Sequence, residues 1–258
     1  MQIGGSRVLL TGASGGIGQA IATALRERGA QVLASGRRVE ELERAGEPLE
    51  CDLSDREAVA ALPERAGRVD VLVANAGLPS SGLLSALTEE QIDRALDVNL
   101  RAPILLAHAL APGMAERGSG HLVFVSSLNG KSAAAGTTIY SATKFGLRGF
   151  ASALRDDLHG SGVGVTTIFP GFISDAGMFH DAGVDLPPGV ATRTPQQVAA
   201  GVIRGIEADK HEVDVAPFSL RASAKFAGAF PELAARVQRK LGSRELAEKM
   251  ARAQAGRR

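Results

Sequence analysis

The chain has few cysteine and aromatic residues, and the scarcity of cysteine excludes some structures at once. The single cysteine, Cys51, cannot form an internal disulfide, which suits a reducing compartment. Cys51 lies in an apolar stretch without metal-ligand spacing, and the five histidines lack such spacing too, so we expect no metal site. No stretch reaches the roughly eighteen uncharged apolar residues of a membrane span, and no secretory leader pattern opens the chain. We therefore expect a cytoplasmic protein.

Aromatic residues make up only 4% of the chain, with no tryptophan and one tyrosine, Tyr140. The apolar residues, 45% of the total, are therefore mostly Ala, Val, Leu and Ile, which suit a parallel sheet covered on both faces. A length of 258 residues fits one α/β domain, so we treat 1–258 as a single domain.

Strand and helix patterns alternate along the chain, which predicts a doubly wound parallel sheet of the Rossmann type. The predicted strands cover residues 6–10, 30–34, 48–51, 69–74, 121–126, 164–169 and 212–215. The main predicted helices cover residues 89–116, 139–159 and 195–208. Ligands of such sheets bind beyond the carboxyl ends of the strands, so we expect the functional residues along one edge of the sheet.

A glycine-rich turn joins the first strand to a helix and has the pattern T-G-x-x-x-G-x-G. Backbone N–H groups converge at such a turn, and the helix dipole favours an anion, so the segment predicts a phosphate cradle. Its candidate cofactor-binding residues are Thr11, Gly12, Ser14, Gly16, Ile17 and Gly18.

Two arginines, Arg37 and Arg38, follow the second strand, where an NAD site normally places a carboxylate for the ribose hydroxyls. Guanidinium groups pair well with a phosphate dianion, so the sequence predicts NADP rather than NAD, with Arg37 as the principal contact. The alternative is that both arginines only solvate the start of the next helix.

Tyr140 precedes Lys144 by four residues, which puts the phenol and the ammonium on one face of a helix. A free tyrosine titrates near pH 10, and an adjacent ammonium stabilises its phenolate, so the pair predicts an acid or base catalyst. Taken alone, the same spacing also arises by chance. Ser127, at the end of the fifth predicted strand, can face the tyrosine across a pocket, whereas Ser126 should point to the opposite face.

These motifs, together with Asn75-Ala76-Gly77, Asn99 and Pro170-Gly171 in the same order, resemble the short-chain dehydrogenase/reductase family. The resemblance runs from about residue 6 to residue 215 and implies a sheet of about seven strands with helices on both faces. It implies that Tyr140 is the general acid or base, that Ser127 binds the substrate oxygen, and that Lys144 lowers the phenol pKa and holds the nicotinamide ribose. Asn99 would anchor a water that relays protons to the lysine; alternatively, it binds only backbone.

Further cofactor contacts are implied by the same resemblance. The adenine would be held by Asp52 and Leu53, and the turn after the fourth strand, Asn75, Ala76 and Gly77, would line the cofactor. The nicotinamide amide would meet the backbone of a loop with Pro170, Gly171 and Ile173. Two positions depart from the family pattern: Ala74 replaces an asparagine, and Asp175 stands where a threonine is frequent.

Two segments bear on the substrate. Residues 174–194 are rich in Gly, Pro and small residues, which suits a substrate lid. Residues 221–258 hold ten Lys and Arg against three Glu, so this extension carries +7 and the rest of the chain −6. Phe226, Phe230, Leu233, Val237 and Leu241 recur there at helical spacing. A basic amphipathic helix of this kind can sit on an anionic membrane or approach a lipid-like substrate. It can also dock its apolar side on its own domain or on a partner subunit, and we favour this docking.

The sequence thus predicts an NADP-dependent oxidoreductase that interconverts a carbonyl and a secondary alcohol, acting as an NADPH-dependent reductase of a hydrophobic or 3-oxoacyl-like substrate. The alternative is a dinucleotide-binding sensor without turnover, and a sugar epimerase or dehydratase would usually need a longer substrate domain. We expect a homodimer or homotetramer from the resemblance, and no nucleic-acid partner.

Overall fold

The computed structural model places seven parallel strands in one sheet and describes residues 1–180, 183, 190–240, 249 and 253. The strands are β1 Arg7–Thr11, β2 Gln31–Gly36, β3 Glu47–Glu50, β4 Val71–Ala74, β5 Gly120–Val125, β6 Val163–Pro170 and β7 Glu212–Val215. Their order is β3-β2-β1-β4-β5-β6-β7. The order reverses between β1 and β4, which is where doubly wound sheets open a crevice for a ligand.

Helices connect the strands. They are α1 Gly16–Arg26, α2 Val39–Ala45, α3 Arg56–Ala66, α4 Glu89–Leu96, α5 Ala102–Glu116, α6 Thr138–Asp157, α7 Gly177–His180, α8 Pro195–Glu207, α9 Phe218–Ala229 and α10 Pro231–Lys240. Short 3-10 turns cover Leu84–Ala86 and Leu128–Gly130, and a π-helical turn, Asp97–Arg101, joins α4 to α5. The predicted doubly wound fold and its seven strands are confirmed, with strand ends shifted by up to two residues.

Local chemistry explains several helix starts. Thr88 and Gln91 form a capping box at α4, and Thr194 and Gln197 form another at α8, where Pro195 takes the first helical position. The side chain of Asp55 accepts hydrogen bonds from two backbone N–H groups of α3. In each case the side chain satisfies N–H groups that lack a partner within the helix.

The core forms two layers, one on each face of the sheet. Along β1, Val8 and Leu10 face a layer that includes α1 and α8, whereas Leu9 faces a layer that includes α3, α5 and α6. All three of these side chains are fully buried. Helices covering both faces explain why the strands read as continuous apolar runs, and they leave the sheet edge beyond the strands' carboxyl ends open for a site.

The helix predicted over residues 89–116 is interrupted at Asp97–Arg101 by the π-helical turn. Asn99 lies in this turn, completely buried, and its side chain bonds the backbone of Leu78 in both directions. A π turn accommodates one extra residue in a helix and is frequent at functional sites. Periodicity alone does not reveal it, because the apolar pattern continues on either side.

Candidate active site

Thr11 and Asn75 connect the ends of the adjacent strands β1 and β4. The Thr11 hydroxyl accepts hydrogen bonds from the backbone N–H groups of Asn75 (3.1 Å) and Ala76 (3.2 Å). The Asn75 amide donates to the carbonyl oxygens of Thr11 (3.1 Å) and Gly12 (3.2 Å). These four bonds fix the glycine turn against the Asn75-Ala76-Gly77 segment, so both predicted motifs lie side by side.

The glycine turn needs glycine at named positions. Gly12 has φ 65°, and a Cβ there would lie 2.8 Å from the Ala76 Cα. A Cβ on Gly18 would meet the Gly12 carbonyl oxygen, and one on Gly16 would meet the Ala176 Cβ. Helix α1 starts at Gly16 with no acidic residue in its first turn. Its unpaired N–H groups and dipole are therefore available to an anion.

At the end of β2 the two arginines have different surroundings. Arg38 Nη2 pairs with Glu41 Oε2 at 2.7 Å, whereas Arg37 Nη1 lies 4.0 Å from Asp52 Oδ2 and its side chain is 55% exposed. Ser14 lies close by, because a Cβ on Gly36 would be 3.4 Å from its Oγ. Arg37 thus has the weaker carboxylate contact of the two arginines.

Asp52 is held by Ser54, whose backbone N–H (2.9 Å) and hydroxyl (2.7 Å) both donate to Asp52 Oδ1. Burial raises the pKa of Asp52, but these bonds and the nearby charges of Arg37 and Arg94 outweigh it and lower that pKa below the ordinary value. Leu53 is buried in the core layer of α3 and α5.

Tyr140 and Ser127 meet across a pocket. Ser127 follows β5, and Tyr140 lies in the first turn of α6. Burial raises the pKa of the phenol, and a hydrogen bond with the Ser127 side chain opposes that rise. The neighbouring Ser126 also lines the pocket, and its hydroxyl donates to the Lys144 carbonyl oxygen at 3.1 Å.

Lys144 lies one helical turn after Tyr140, with its Nζ 5.6 Å from the centre of the phenol ring. The ammonium donates to the Val125 carbonyl oxygen at 2.9 Å. Burial lowers the pKa of Lys144 from 10.5 to about 8. A Cβ at Gly77 would lie 3.6 Å from this Nζ and 3.5 Å from Asn99 Oδ1, so glycine leaves the lysine and the asparagine room.

Both ends of the Asn99 amide are engaged by Leu78: Oδ1 accepts from its N–H at 2.7 Å, and Nδ2 donates to its carbonyl oxygen at 3.0 Å. Backbone binding, the alternative raised for this residue, is therefore what its side chain does. The contact fixes the segment after Gly77 beside Lys144.

A pocket of about 410 Å³ opens between these elements. Its lining includes Ile17, Asn75 and Gly77 together with Ser127, Tyr140 and Lys144. Further predicted residues in its wall are Pro170, Gly171 and Ile173. The lining also includes Leu220, Ser223 and Ala224 of α9, which the sequence reasoning missed. The only signal for this segment was the helical spacing of apolar residues in the C-terminal extension. Such spacing predicts a helix but does not say which surface the helix packs against.

The lid prediction falls partly outside the described residues, namely at residues 181, 182 and 184–189. Its start is described: Asp175 has φ 63°, and the Ala176 backbone N–H donates to the Ser174 carbonyl oxygen at 2.7 Å. Met178 lines the pocket, and a Cβ on Gly77 would lie 3.2 Å from its Cε. The first part of the proposed lid therefore contacts the predicted cofactor motifs.

The basic extension is described to residue 240 and again at residues 249 and 253. Helix α10 begins at Pro231 as expected, whereas Leu241 and Gly242 lie outside the described residues. Several apolar side chains of the extension are only about half covered: exposure is 42% for Phe226, 58% for Phe230, 49% for Leu233 and 46% for Val237.

The described residues form neither a metal site of acidic, histidine or cysteine side chains nor a membrane-spanning helix. No group of three or more His, Cys, Asp or Glu side chains there could hold a metal ion. No helix among the same residues combines the length and apolar character needed to cross a membrane.

Comparison with known proteins adds the following. The family profile described as short chain dehydrogenase matches residues 6–185. "Ketoacyl reductase HetN" of Nostoc is 35% identical over 225 residues, covering 82% of this chain and 78% of that protein. The Rickettsia conorii protein "3-oxoacyl-[acyl-carrier-protein] reductase FabG" is 36% identical over 176 residues, covering 66% of this chain and 73% of that protein.

Two solved structures extend the likeness to the fold. A short-chain dehydrogenase from Burkholderia cenocepacia in complex with NADP has a TM-score of 0.80 at 27% identity, covering 92% of this chain and 99% of that one. A short-chain dehydrogenase from Sphingobium yanoikuyae in complex with NADPH has a TM-score of 0.77 at 27% identity, covering 89% of this chain and 95% of that one.

Proposed function

This chain belongs to the short-chain dehydrogenase family of oxidoreductases, and from that premise we propose that it is an NADP-dependent enzyme that reduces a carbonyl group to a secondary alcohol. The observation that carries the proposal is the meeting of Ser127, Tyr140 and Lys144 at one pocket, which Ile17 of the glycine motif also lines. A protein that only binds a dinucleotide has no chemical need for a phenol placed beside a hydroxyl and an ammonium.

The residues present fit a dinucleotide. The glycine turn is tightly wound, because a Cβ at Gly12, Gly16 or Gly18 would clash with neighbouring atoms, and the α1 N-terminus, which has no acidic residue in its first turn, favours an anion. In our proposal Thr11, Ser14 and Ile17 complete this cradle, Asp52 and Leu53 serve the adenine, and Asn75, Ala76, Gly77, Pro170, Gly171 and Ile173 line the remainder. When bound, NADPH supplies the hydride.

The chain itself supplies orientation and the proton. Ser127 and Tyr140 hydrogen-bond the carbonyl oxygen of the substrate, and Tyr140 gives its phenolic proton to that oxygen as negative charge develops. The Lys144 ammonium, one turn along α6, stabilises the phenolate that is left and contributes to holding the ribose. Asn99 keeps the 78–79 segment in place next to the lysine, and we propose that this region conducts the proton that recharges Tyr140.

We propose NADP over NAD because of Arg37. Its side chain is more than half exposed and has only a loose contact with Asp52. Arg37 directly follows Gly36, which lies close to Ser14 of the glycine turn. A phosphate dianion would give it a far stronger charge-assisted partner. Arg38 plays a smaller part in the proposal, since Glu41 already holds it.

The proposed substrate is hydrophobic, with 3-oxoacyl compounds as the leading class. The wall of the pocket is mostly apolar beyond Ser127 and Tyr140, with Leu128, Phe172, Met178 and Leu220 among its members. Relatives named as ketoacyl and 3-oxoacyl reductases support the same class. We propose that residues 174–194 act as the lid of this pocket and that 221–258 is an extension of a single domain.

Two further properties belong to the proposal. By family resemblance the enzyme would be cytoplasmic and would form a homodimer or homotetramer. Light scattering would measure its molar mass and so its oligomeric state. The exposed Phe226, Phe230, Leu233 and Val237 lie on a basic extension, so we also propose weak association with anionic lipid. Co-sedimentation with phosphatidylglycerol vesicles, compared with phosphatidylcholine vesicles, tests it, and equal binding to both would count against it.

NADPH oxidation against a panel of ketones, aldehydes and 3-oxoacyl thioesters tests the main proposal. We expect turnover of at least one apolar carbonyl, and its near-complete loss in Tyr140→Phe with NADPH affinity retained. Retained turnover in that variant would refute the mechanism. NADPH binding without turnover across the panel would favour the sensor alternative.

A further inference from the structure

A cluster of five charged side chains lies next to the pocket and connects three of its walls. Lys131 follows the turn that begins at Ser127, Arg148 is on α6 and Arg221 is on α9. Between them stand Glu212 and Asp214 of the edge strand β7, which point to the same face because they are two residues apart. The proposed mechanism assigns none of these five residues a role.

The ion pairs within this cluster are short. Lys131 Nζ lies 2.9 Å from Glu212 Oε2 and 2.5 Å from Asp214 Oδ1. Arg148 Nε reaches the other oxygen of Glu212 at 2.7 Å. Arg221 Nε lies 3.6 Å from Asp214 Oδ2. Each carboxylate is therefore shared by two cations that come from two different elements.

The centre of the cluster is shielded from water. The Lys131 side chain is 9% exposed and that of Asp214 10%, and the Lys131 ammonium lies 3.9 Å from the centre of the buried Phe169 ring. A charge removed from water costs free energy unless its partners are well placed, so such a cluster permits few arrangements. Surface ion pairs, in contrast, contribute little.

The two shared carboxylates connect the elements that line the active-site pocket. Glu212 joins the turn after Ser127 to α6, which carries Tyr140, and Asp214 joins the same turn to α9, which supplies Leu220 and Ser223 to the pocket. The turn also packs closely on α6, because a Cβ on Gly130 would lie 2.7 Å from the Lys144 carbonyl oxygen. Glu212 is thus one of the contacts that hold the Ser127 turn against the helix that carries Tyr140.

We propose that Glu212 and Asp214 are positioning residues: with Lys131 they hold the Ser127 turn against the Tyr140 helix and set the place of α9 in the substrate pocket. The inference rests on the proposed function of Ser127 and Tyr140. It assigns Glu212 to the alignment of the two hydroxyls and Asp214 to the shape of the substrate wall.

The composition of the chain allows a direct test without any substrate. Tyr140 is the only tyrosine and tryptophan is absent, so absorbance at about 295 nm follows the ionisation of this one phenol. The Ser127 hydrogen bond lowers the pKa of Tyr140, and a displaced turn would weaken that bond. We therefore expect Glu212→Gln to raise the phenol pKa toward the value found in Ser127→Ala. A rapid pH jump reads the ionisation before alkaline unfolding.

The sign of the shift separates positioning from a direct electrostatic effect. Removing a nearby negative charge would by itself favour the phenolate and lower the pKa of Tyr140. Loss of the Ser127 contact raises it instead. Glu212→Gln should therefore raise the pKa in the native background and add nothing in a Ser127→Ala background. An unchanged or lowered pKa in Glu212→Gln overturns the proposal.

Asp209→Asn is the matched control. Asp209 is also a carboxylate paired with an arginine of α6, Arg155, at 2.8 Å, but Arg155 lies near the far end of that helix from Tyr140. Neutralising Asp209 should leave the phenol titration unchanged. A rise equal to that of Glu212→Gln would mean that general loosening of the fold is responsible, which also overturns the proposal.

Turnover gives the second measurement. We expect Glu212→Gln to lower kcat several-fold, and Asp214→Asn to raise KM for the carbonyl substrate more than it lowers kcat. NADPH affinity should stay within about twofold in both, because the glycine turn is not part of the cluster. Asp214→Glu should recover part of the loss. A loss of NADPH affinity well beyond twofold in either variant would contradict the assignment. If the native protein reduces no carbonyl, the proposed function fails, while the titration still decides the coupling.

Discussion

Replacing Arg37 by serine should weaken NADPH binding selectively. The Arg37 side chain is 55% exposed, and its nearest carboxylate oxygen, on Asp52, is 4.0 Å away. That carboxylate already accepts two hydrogen bonds from Ser54, so Arg37 loses little when it turns to a phosphate. Removing it should therefore affect mainly the ligand that carries the extra phosphate.

The magnitude follows from the contact that Arg37 would make. A hydrogen bond to a charged group contributes about 1.5–3 kcal/mol, and the exposure of Arg37 favours the lower part of that range. At about 1.4 kcal/mol for each factor of ten, a loss of about 1.5–2 kcal/mol raises the Kd for NADPH about ten- to thirtyfold. The Kd for NADH should change less than about twofold.

Arg38→Ser provides the matched control on the neighbouring position. Arg38 is already paired with Glu41 at 2.7 Å, so it would have to give up this contact before binding a phosphate. We expect an increase of less than about threefold in the Kd for NADPH. Fluorescence titrations of each variant with both cofactors measure the four values. Equal losses for NADPH and NADH in Arg37→Ser would refute the reasoning.

Three other predictions follow from single residues. Burial lowers the pKa of Lys144 to about 8, so kcat/KM for carbonyl reduction should fall about tenfold per pH unit above about pH 8 as the ammonium is lost. A pH profile in which kcat/KM begins to fall only near pH 10 would contradict this prediction. Burial also lowers the pKa of His121 from 6.5 to about 4, so the unfolded chain binds the proton at a higher pH than the folded protein does. Roughly 3 kcal/mol of the free energy of unfolding should therefore be lost as the pH falls from about 6.5 to about 4. Urea unfolding across this pH range should show a smaller loss of stability in His121→Gln. Gly18→Ala places a Cβ against the Gly12 carbonyl oxygen and should lower the Tm by several degrees. Gly149→Ala, whose Cβ would have no atom within 4 Å, should raise the free energy of unfolding by about 1 kcal/mol. A higher Tm for Gly18→Ala than for Gly149→Ala would contradict this reasoning.

The alternation of short apolar strands with helical patterns was enough to predict the doubly wound sheet, because period and burial are local properties of a chain. The same holds for the glycine turn, whose spacing reflects backbone needs at Gly12 and Gly18, and for Tyr140 and Lys144, which one helical turn places on a common face.

Only the tertiary structure decided which distant residues meet. Arg38 lies with Glu41 and Arg37 stands apart; α9 supplies part of the pocket wall; and Lys131, Arg148, Glu212 and Asp214 form one cluster although they lie up to 83 residues apart. The π turn at Asn99 depends on the backbone of Leu78, 21 residues away. Such contacts arise from the crossing of elements in space, which no local period encodes. The residues proposed for this site could therefore be named from the sequence, whereas the contacts that hold the walls of the pocket together could not.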